Sequence, residues 1–310
     1  MPDAAFPRIL GVGIACLDYL FMAPRAEPGG QARLAGYAIQ GGGLVGTALS
    51  AAARLGAKAE IWTWVGDDAE GQEVLSGLRQ EGVDVSRAER VRGARTPVSF
   101  IQVEERTGER TIYHGSRLEP PRAGIEALRN RPLACDALVV DAVYAAASQI
   151  AASRARAAGL PVVGDFYPSR ETADLAGDVS ALIVSASASD RAMPGATRTE
   201  QLRSLAKTGA DFIAITCGAE GCHYLDDDFG YQPAFGVEVV DTTGAGDVFH
   251  GAFAYALARR WPTVQAVEFA SAAAALSCRA LGGRAAAPTL EEVAELLREQ
   301  GSDIWARVSG

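Results

Sequence analysis

Hydrophobic and polar positions follow two rhythms along the chain. Short apolar, β-rich runs ("DALVVDA", "PVVGDF", "SALIVSA", "DFIAITCG") recur with helical stretches between them. Runs that are apolar throughout predict strands covered on both faces. Alternating with helices, they predict right-handed βαβ units and a mostly parallel sheet with helices on each side. "RILGVGIACLD" predicts a buried first strand closing on Asp18, and "AEIWTWVG" another strand. "GGGLVGTALSAAARLG" opens with glycines and becomes a small-residue helix that stops at Gly56, while "AEGQEVLSGLRQEG" is amphipathic with a terminal glycine.

The second rhythm is strand-like without helices. "QARLAGYAIQ" alternates weakly, and "TPVSFIQV" and "RTIYHG", split by "EERTGE", predict a hairpin. These pieces predict a small β appendage built from the 31–40 and 96–115 strands, with Ile39, Val98, Phe100 and Ile112 on one apolar face. "EGCHYLDDDFGYQPAF" predicts an antiparallel hairpin at the edge of the main sheet, "VSASASDRAMPG" a polar loop after a strand, and the last third is helical.

Composition changes the picture in three ways. At 310 residues, 48% of them hydrophobic and 22% charged, the chain can bury a substantial core, and without repeats or a linker it reads as one large α/β domain spanning 1–310. A net charge of −9 argues against broad contact with nucleic acid or a membrane surface. It leaves room for a small anion, because a helix terminus acts locally. Cys16, Cys135, Cys217, Cys222 and Cys278 form no CxxC pair, which suits reduced thiols in a cytoplasmic protein. The N-terminal segment lacks a signal-peptide pattern, and no stretch is long and apolar enough to span a bilayer. His114, His223 and His250 lack supporting carboxylate spacing and are not read as catalytic; His250 is expected to be packed or partly exposed.

Candidate chemistry concentrates at glycines. "DTTGAGDVFHGAFAYAL", residues 241–257, starts as a loop and ends as an apolar helix, placing Gly244, Gly246 and Asp247 at the helix start. The first turn of a helix has amides without partners and a partial positive charge, so glycines there suit a phosphate. An ordinary strand-to-helix turn, with Asp247 complementing the dipole, explains the stretch equally well. Gly41 to Gly43 precede another helix, either as a tight turn or as a place where a polyol approaches the backbone, with Thr47 one turn on. Neither cluster matches GxxxxGK[ST], so a nucleotide here does not use a P-loop. Gly11 and Gly13 lack the third glycine of a dinucleotide fingerprint.

Taken together, these clusters resemble the ribokinase-like carbohydrate kinases, the PfkB family. "DTTGAGDVFHGAF" is similar to that family's C-terminal signature. "GGLVGTALSAAARLG" with "VGDDAEGQEVLSGLRQEGVDVS" resembles its N-terminal one, "TCGAEGC" its TxGxxG element, and "ALGGRAAAP" its closing glycine-rich segment. The resemblance implies a three-layer α/β/α fold with a central, mostly parallel sheet and a small β-sheet lid from roughly 19–40 and 95–116. It implies an ATP-dependent kinase for a hydroxyl, primary by expectation, of a sugar or sugar derivative, using Mg²⁺.

By resemblance, Gly244, Ala245 and Gly246 form the anion hole and Asp247 is the base. Asp18, Gly42, Gly43 and Thr47 line the sugar pocket, and Thr216, Gly218, Gly221, Ser277 and Gly283 surround ATP. Asp241 and Thr243 correspond to a K⁺ site of some members, and related lids suggest a homodimer. Three departures stand out: Thr47 replaces the family's common Asn, Tyr167 replaces the asparagine of DxNxR, and the NxxE glutamate falls at Ser189 or Asp190. Motif detail is most similar to the sulfofructose kinase branch, yet the positions matched to its sulfonate contacts carry Gln31, His114 and Val143. A nucleoside kinase and a catalytically weak nucleotide- or sugar-binding protein are the alternatives.

Overall fold

The computed structural model describes residues 6–24, 29–105 and 110–309. Strands follow the chain as β1 (Arg8–Val12), β2 (Cys16–Ala23), β3 (Gly36–Gly42), β4 (Lys58–Trp62), β5 (Trp64–Gly66), β6 (Glu89–Val91) and β7 (Val98–Glu104). They continue as β8 (Arg110–His114), β9 (Ala137–Asp141), β10 (Val162–Asp165), β11 (Ala181–Ser185), β12 (Phe212–Thr216), β13 (Cys222–Leu225) and β14 (Phe229–Gln232).

Eight strands form the main sheet in the order β14-β13-β12-β11-β10-β9-β1-β4. It is parallel from β12 to β4, and the β13–β14 hairpin closes one edge antiparallel, as the sequence predicts. Alternation sorts each strand between two cores. Ile9, Val139 and Ile183 face the helices Leu44–Arg54, Ala245–Ala258 and Thr263–Ser277, while Leu10, Val140 and Leu182 face the helix Ala145–Ala157. The result is a three-layer α/β/α architecture.

A separate four-stranded sheet has the order β3-β2-β7-β8. This departs from the expected pairing of the 31–40 and 96–115 segments, because β2 lies between them. "RILGVGIACLD" is not one strand: Gly13 donates to Trp62 O and Ile14 to the buried Asp141 carboxylate, turning the chain out of the main sheet. Asp18 therefore stands on β2, in the second sheet. That strand order also corrects the apolar face. Val98, Phe100 and Ile39 share a face with Tyr19, and Val98 and Tyr19 also pack on the main core, but Ile112 pairs with Ile101 on the opposite, inner side. The 31–40 strand begins at Gly36 and runs to Gly42, and "AEIWTWVG" divides into β4 and β5. "SASASD" is no loop but a helix, Ala186–Ala192, which Ser185 caps by accepting from Ala188 N.

Candidate active site

The parallel strands bring their C-terminal ends to one edge. Asp141 lies opposite Asp165, and Ser185 opposite Thr216. Ligands of open α/β sheets bind along this edge. Over it stands the start of the helix Ala245–Ala258, since His250 Nε2 lies 3.2 Å from Ile183 O and Nδ1 3.5 Å from Asp165 Oδ2.

Gly244, the N-cap, has φ 73°, and a Cβ there would lie 2.5 Å from Gly283 Cα. Only glycine fits that close approach with a left-handed backbone. Gly246 differs, because a Cβ on it would meet nothing within 4 Å. Ala245 N–H turns back to Thr242 O at 3.3 Å, so Gly246 and Asp247 carry the amides without a partner among the described residues. The preceding loop is tied down through Asp241: Oδ1 accepts from Thr243 N (2.9 Å) and Oγ1 (2.8 Å), and Oδ2 from Gly282 N (2.8 Å).

Four carboxylates converge on this end. Burial, and then the charge of Asp165, hold Asp247 well above the usual carboxylate range; Asp18 adds to the rise, while His250 and Arg110 oppose it. Asp165 is pushed to about 8 by burial and by Asp141. Asp141 is raised to about 6 by burial, against hydrogen bonds from Ile14 and Val143 amides. Burial also raises Asp18, against donation by Cys16 and Ser99. Asp165 Oδ2 is buried with no hydrogen-bond partner among the described residues.

At one end of this edge Asp18, Gly42, Gly43 and Thr47 come together. A Cβ on Gly42 would overlap the Asp18 carboxylate, and Gly43 (φ 88°) would meet Ile14 O at 2.7 Å. Beneath them lies Arg284, 4% exposed, which sequence reading missed. Its Nη2 donates to Gly42 O at 2.8 Å, its Nε to Thr47 Oγ1 at 3.4 Å, and its Nη1 to Glu81 at 3.1 Å. The signal was a lone cation inside the small-residue run "GGRAAAP".

The residues that the resemblance assigns to ATP are differently placed. Thr216 ends β12, donating to Val184 O at 3.4 Å, and Gly218 (φ 57°) and Gly221 (φ 89°) shape the turn after it. Gly283 packs on Gly244, but Ser277 is buried with its hydroxyl bonded to Ala274 O. Asp190 is held by Arg198 and Gln201, and Ser189 is fully buried. His250 is buried rather than partly exposed, its Nδ1 2.7 Å from Gly246 O, and burial lowers its pKa. His250 and Asp165 are the other residues that motif reading passed over; Asp165 lay in the quoted "DFYPSR".

Open space at the Gly246 α-carbon in the first turn of a helix, with an acid beside it at the C-terminal edge of a parallel sheet, suits phosphoryl transfer. The pfkB family carbohydrate kinase description matches residues 8–290. The chain belongs to this family and is a phosphotransferase with an alcohol acceptor. It is 30% identical to the ribokinase of Schizosaccharomyces pombe over 277 residues, covering 83% of this chain and 86% of that one. With the Bacillus subtilis ribokinase it shares 28% identity, over 94% and 99% of the two chains. A candidate ribokinase structure from Agrobacterium tumefaciens superposes with TM-score 0.86 at 32% identity, over 96% and 99% of the chains. The Arabidopsis thaliana ribokinase complexed with ribose and ATP shares the fold at TM-score 0.80 and 21% identity, over 94% and 99%. Among the described residues, no helix is long and apolar enough to cross a membrane.

Proposed function

We propose that the chain is an ATP-dependent kinase acting on a primary hydroxyl of a sugar or sugar derivative. One observation carries the reading: Asp247 stands in the first turn of a helix beside Gly246, whose α-carbon faces open space. The acceptor hydroxyl gives its proton to Asp247, its oxygen bonds to the γ-phosphorus, and the bond to the β,γ-bridging oxygen breaks as ADP leaves. The Gly244-Ala245-Gly246 turn presents amides to the charge on the phosphoryl oxygens. Asp18, Gly42, Gly43 and Thr47 hold the acceptor; Thr216, Gly218, Gly221 and Gly283 border ATP, and Ser277 supports the helix end behind it.

Mg²⁺ in such a site neutralises phosphate charge and keeps several waters. No group of three or more His, Cys, Asp or Glu among the described residues forms a metal cage. Asp165 Oδ2, which accepts no hydrogen bond among the described residues and has His250 Nδ1 at 3.5 Å, fits a metal-bound water, whereas Asp190 is engaged by Arg198. Asp241 and Thr243 suit K⁺: the Asp241 carboxylate accepts three internal bonds and keeps acceptor capacity beyond them.

The four-stranded sheet, from roughly 19–40 and 95–116, acts as a lid within a single domain. Its support is Arg110, whose Nη1 reaches Thr242 Oγ1 at 2.6 Å in the loop before Gly244. Its outer face carries Tyr19 stacked on Phe100 at 5.1 Å, with Ile39 and Tyr113 exposed beside them, which suits a homodimer of lid on lid. Light scattering at micromolar concentration should give a wild-type dimer and a Phe100→Glu monomer; a wild-type monomer refutes the pairing.

The ribokinase relatives favour a pentose acceptor. The sulfofructose reading rests on motif detail alone, since neither Gln31 nor Val143 is a cation. The capture of Asp190 by Arg198 favours a second reading, a catalytically weak nucleotide- or sugar-binding protein. Measuring ADP formation with Mg²⁺ over D-ribose, D-fructose, sulfofructose and nucleosides tests both. Acceptor-dependent turnover supports the kinase; binding without turnover supports the weak binder.

A further inference from the structure

We infer that Arg284 is a positioning residue that sets the acceptor pocket against the anion hole; this rests on the reading of Asp18, Gly42 and Thr47 as the acceptor pocket. The guanidinium is almost wholly buried, and each of its three nitrogens has an acceptor: Thr47 Oγ1, Glu81 and Gly42 O. Gly42 ends β3 and Thr47 lies in the first turn of the helix Leu44–Arg54, so two of the three acceptors belong to the proposed acceptor pocket. Space for the guanidinium exists because Gly41 on β3 and Gly46 in the helix Leu44–Arg54 carry no side chain. A Cβ on Gly41 would overlap Nη1, and one on Gly46 would lie 2.6 Å from Nη2. Glycines here thus serve a protein cation, not only a ligand.

The residues just before Arg284 reach the other half of the chemistry. Gly283 packs on Gly244, and Gly282 N donates to Asp241 Oδ2. Leu281 packs with Leu20, Ile101 and Val103 of the second sheet. Four consecutive residues therefore touch the lid core, the loop before the anion hole, the anion-hole glycine and the acceptor pocket. Arg284 transmits the position of that segment to Gly42 and Thr47. Its charge also acts on Asp18, opposing the rise that burial imposes on that carboxyl. Glu81, bonded to Ser50 as well, balances the guanidinium charge so that it stays buried without a bound anion.

Lysine keeps the charge but cannot span three acceptors in a planar fork. In Arg284→Lys we expect the KM for D-ribose, or for whichever acceptor the wild type turns over, to rise about tenfold or more. kcat should fall with it, and the KM for ATP should stay within twofold. A merely structural defect would move both KM values together, and that result, or an unchanged acceptor KM, overturns the proposal. If Arg284→Lys does not fold, the charge-neutral pair Arg284→Met with Glu81→Met removes the contacts without leaving a lone buried charge, and the same KM split decides. Hydrogen exchange of the nucleotide-free protein separates this idea from the kinase reading. Should the wild type phosphorylate no acceptor, the kinase reading fails; faster exchange confined to residues 41–47 in the variant still supports the anchoring role, and unchanged exchange there overturns it.

Discussion

The two ends of the cleft are built from different materials. The proposed acceptor end is held by ionisable side chains, buried Asp18 and Arg284 with half-buried Glu81 around the glycines, and Asp165 and Asp247 close by. The proposed nucleotide end is held by backbone: positive-φ glycines at 218 and 221, and hydroxyls that bond their own chain. Low local dielectric makes charge both strong and costly when unpaired. Positive-φ glycines resist substitution themselves, Gly221 also because a Cβ there would overlap Gln232 O, whereas a hydroxyl that makes one long bond to its own chain is replaced at little cost. On the proposed reading one end fixes geometry through buried side chains and the other through backbone, and side-chain substitutions should show that asymmetry.

The largest effect is expected at the junction of the two ends. Asp247→Asn is nearly isosteric but cannot take the hydroxyl proton, so kcat should fall by about 10²–10⁴-fold. ATP binding should persist, because Asp247 belongs to the acceptor chemistry. Turnover within threefold of wild type would remove the base assignment.

Gly246→Val comes next. A Cβ at Gly246 meets no protein atom within 4 Å, so the variant should fold with a Tm close to wild type. Its side chain fills the space proposed for the phosphate, and kcat should drop by about tenfold to a hundredfold. Gly244→Ala is the contrast, failing in stability through its φ of 73° and its contact with Gly283. A Gly246→Val enzyme that folds and turns over normally leaves the helix start as an ordinary turn.

A smaller effect separates the charged end by pH. Asp165 in the folded protein titrates near about 8, while an unfolded Asp titrates at about 3.9. Between those values the folded state holds a proton that the unfolded state has lost. Stability from this group is therefore present at the acid side of the window and lost as pH rises toward 8. In chelator, without nucleotide, the Tm of the wild type should fall between pH 5.5 and pH 8.5 more steeply than that of Asp165→Asn. Parallel slopes would mean that Asp165 is not held protonated by burial and Asp141.

Legibility in the sequence follows the same divide. The main sheet was readable because β9, "ALVVD", is buried at all five positions, and its run of four apolar residues before Asp141 has few alternatives. The second sheet was only half readable. β2, "CLDYLFMA", follows β1 after three residues, and nothing in its pattern tells which sheet it joins; the Gly13 and Ile14 hydrogen bonds decide. The helix start at Gly244 to Asp247 was legible as a place, because glycines before an apolar run mark it locally, but not as chemistry, since an ordinary turn fits the same residues. Arg284 was not legible, because its partners Gly42, Thr47 and Glu81 are distant in sequence, and a pairing at that range leaves no local pattern. The "SASASD" segment misled for the opposite reason: serines suggest a loop, yet Ser185 serves as the N-cap of a helix.

The smallest effect tests the nucleotide end on its own. Thr216 is half-buried at the end of β12, and its hydroxyl makes one long bond, 3.4 Å, to Val184 O. Valine is close to it in shape, so the strand pairing with Ser185 and Cys222 should survive. If the hydroxyl also meets ATP, its loss removes one neutral hydrogen bond, a contribution of about 0.5–1.5 kcal/mol. That corresponds to a rise of about twofold to tenfold in the KM for ATP, with the acceptor KM unchanged. The pattern is the mirror image of that expected for Arg284→Lys. Should Thr216→Val raise the acceptor KM instead, the two ends are coupled through the sheet edge, and the division between a charged acceptor half and a neutral nucleotide half does not describe how this cleft works.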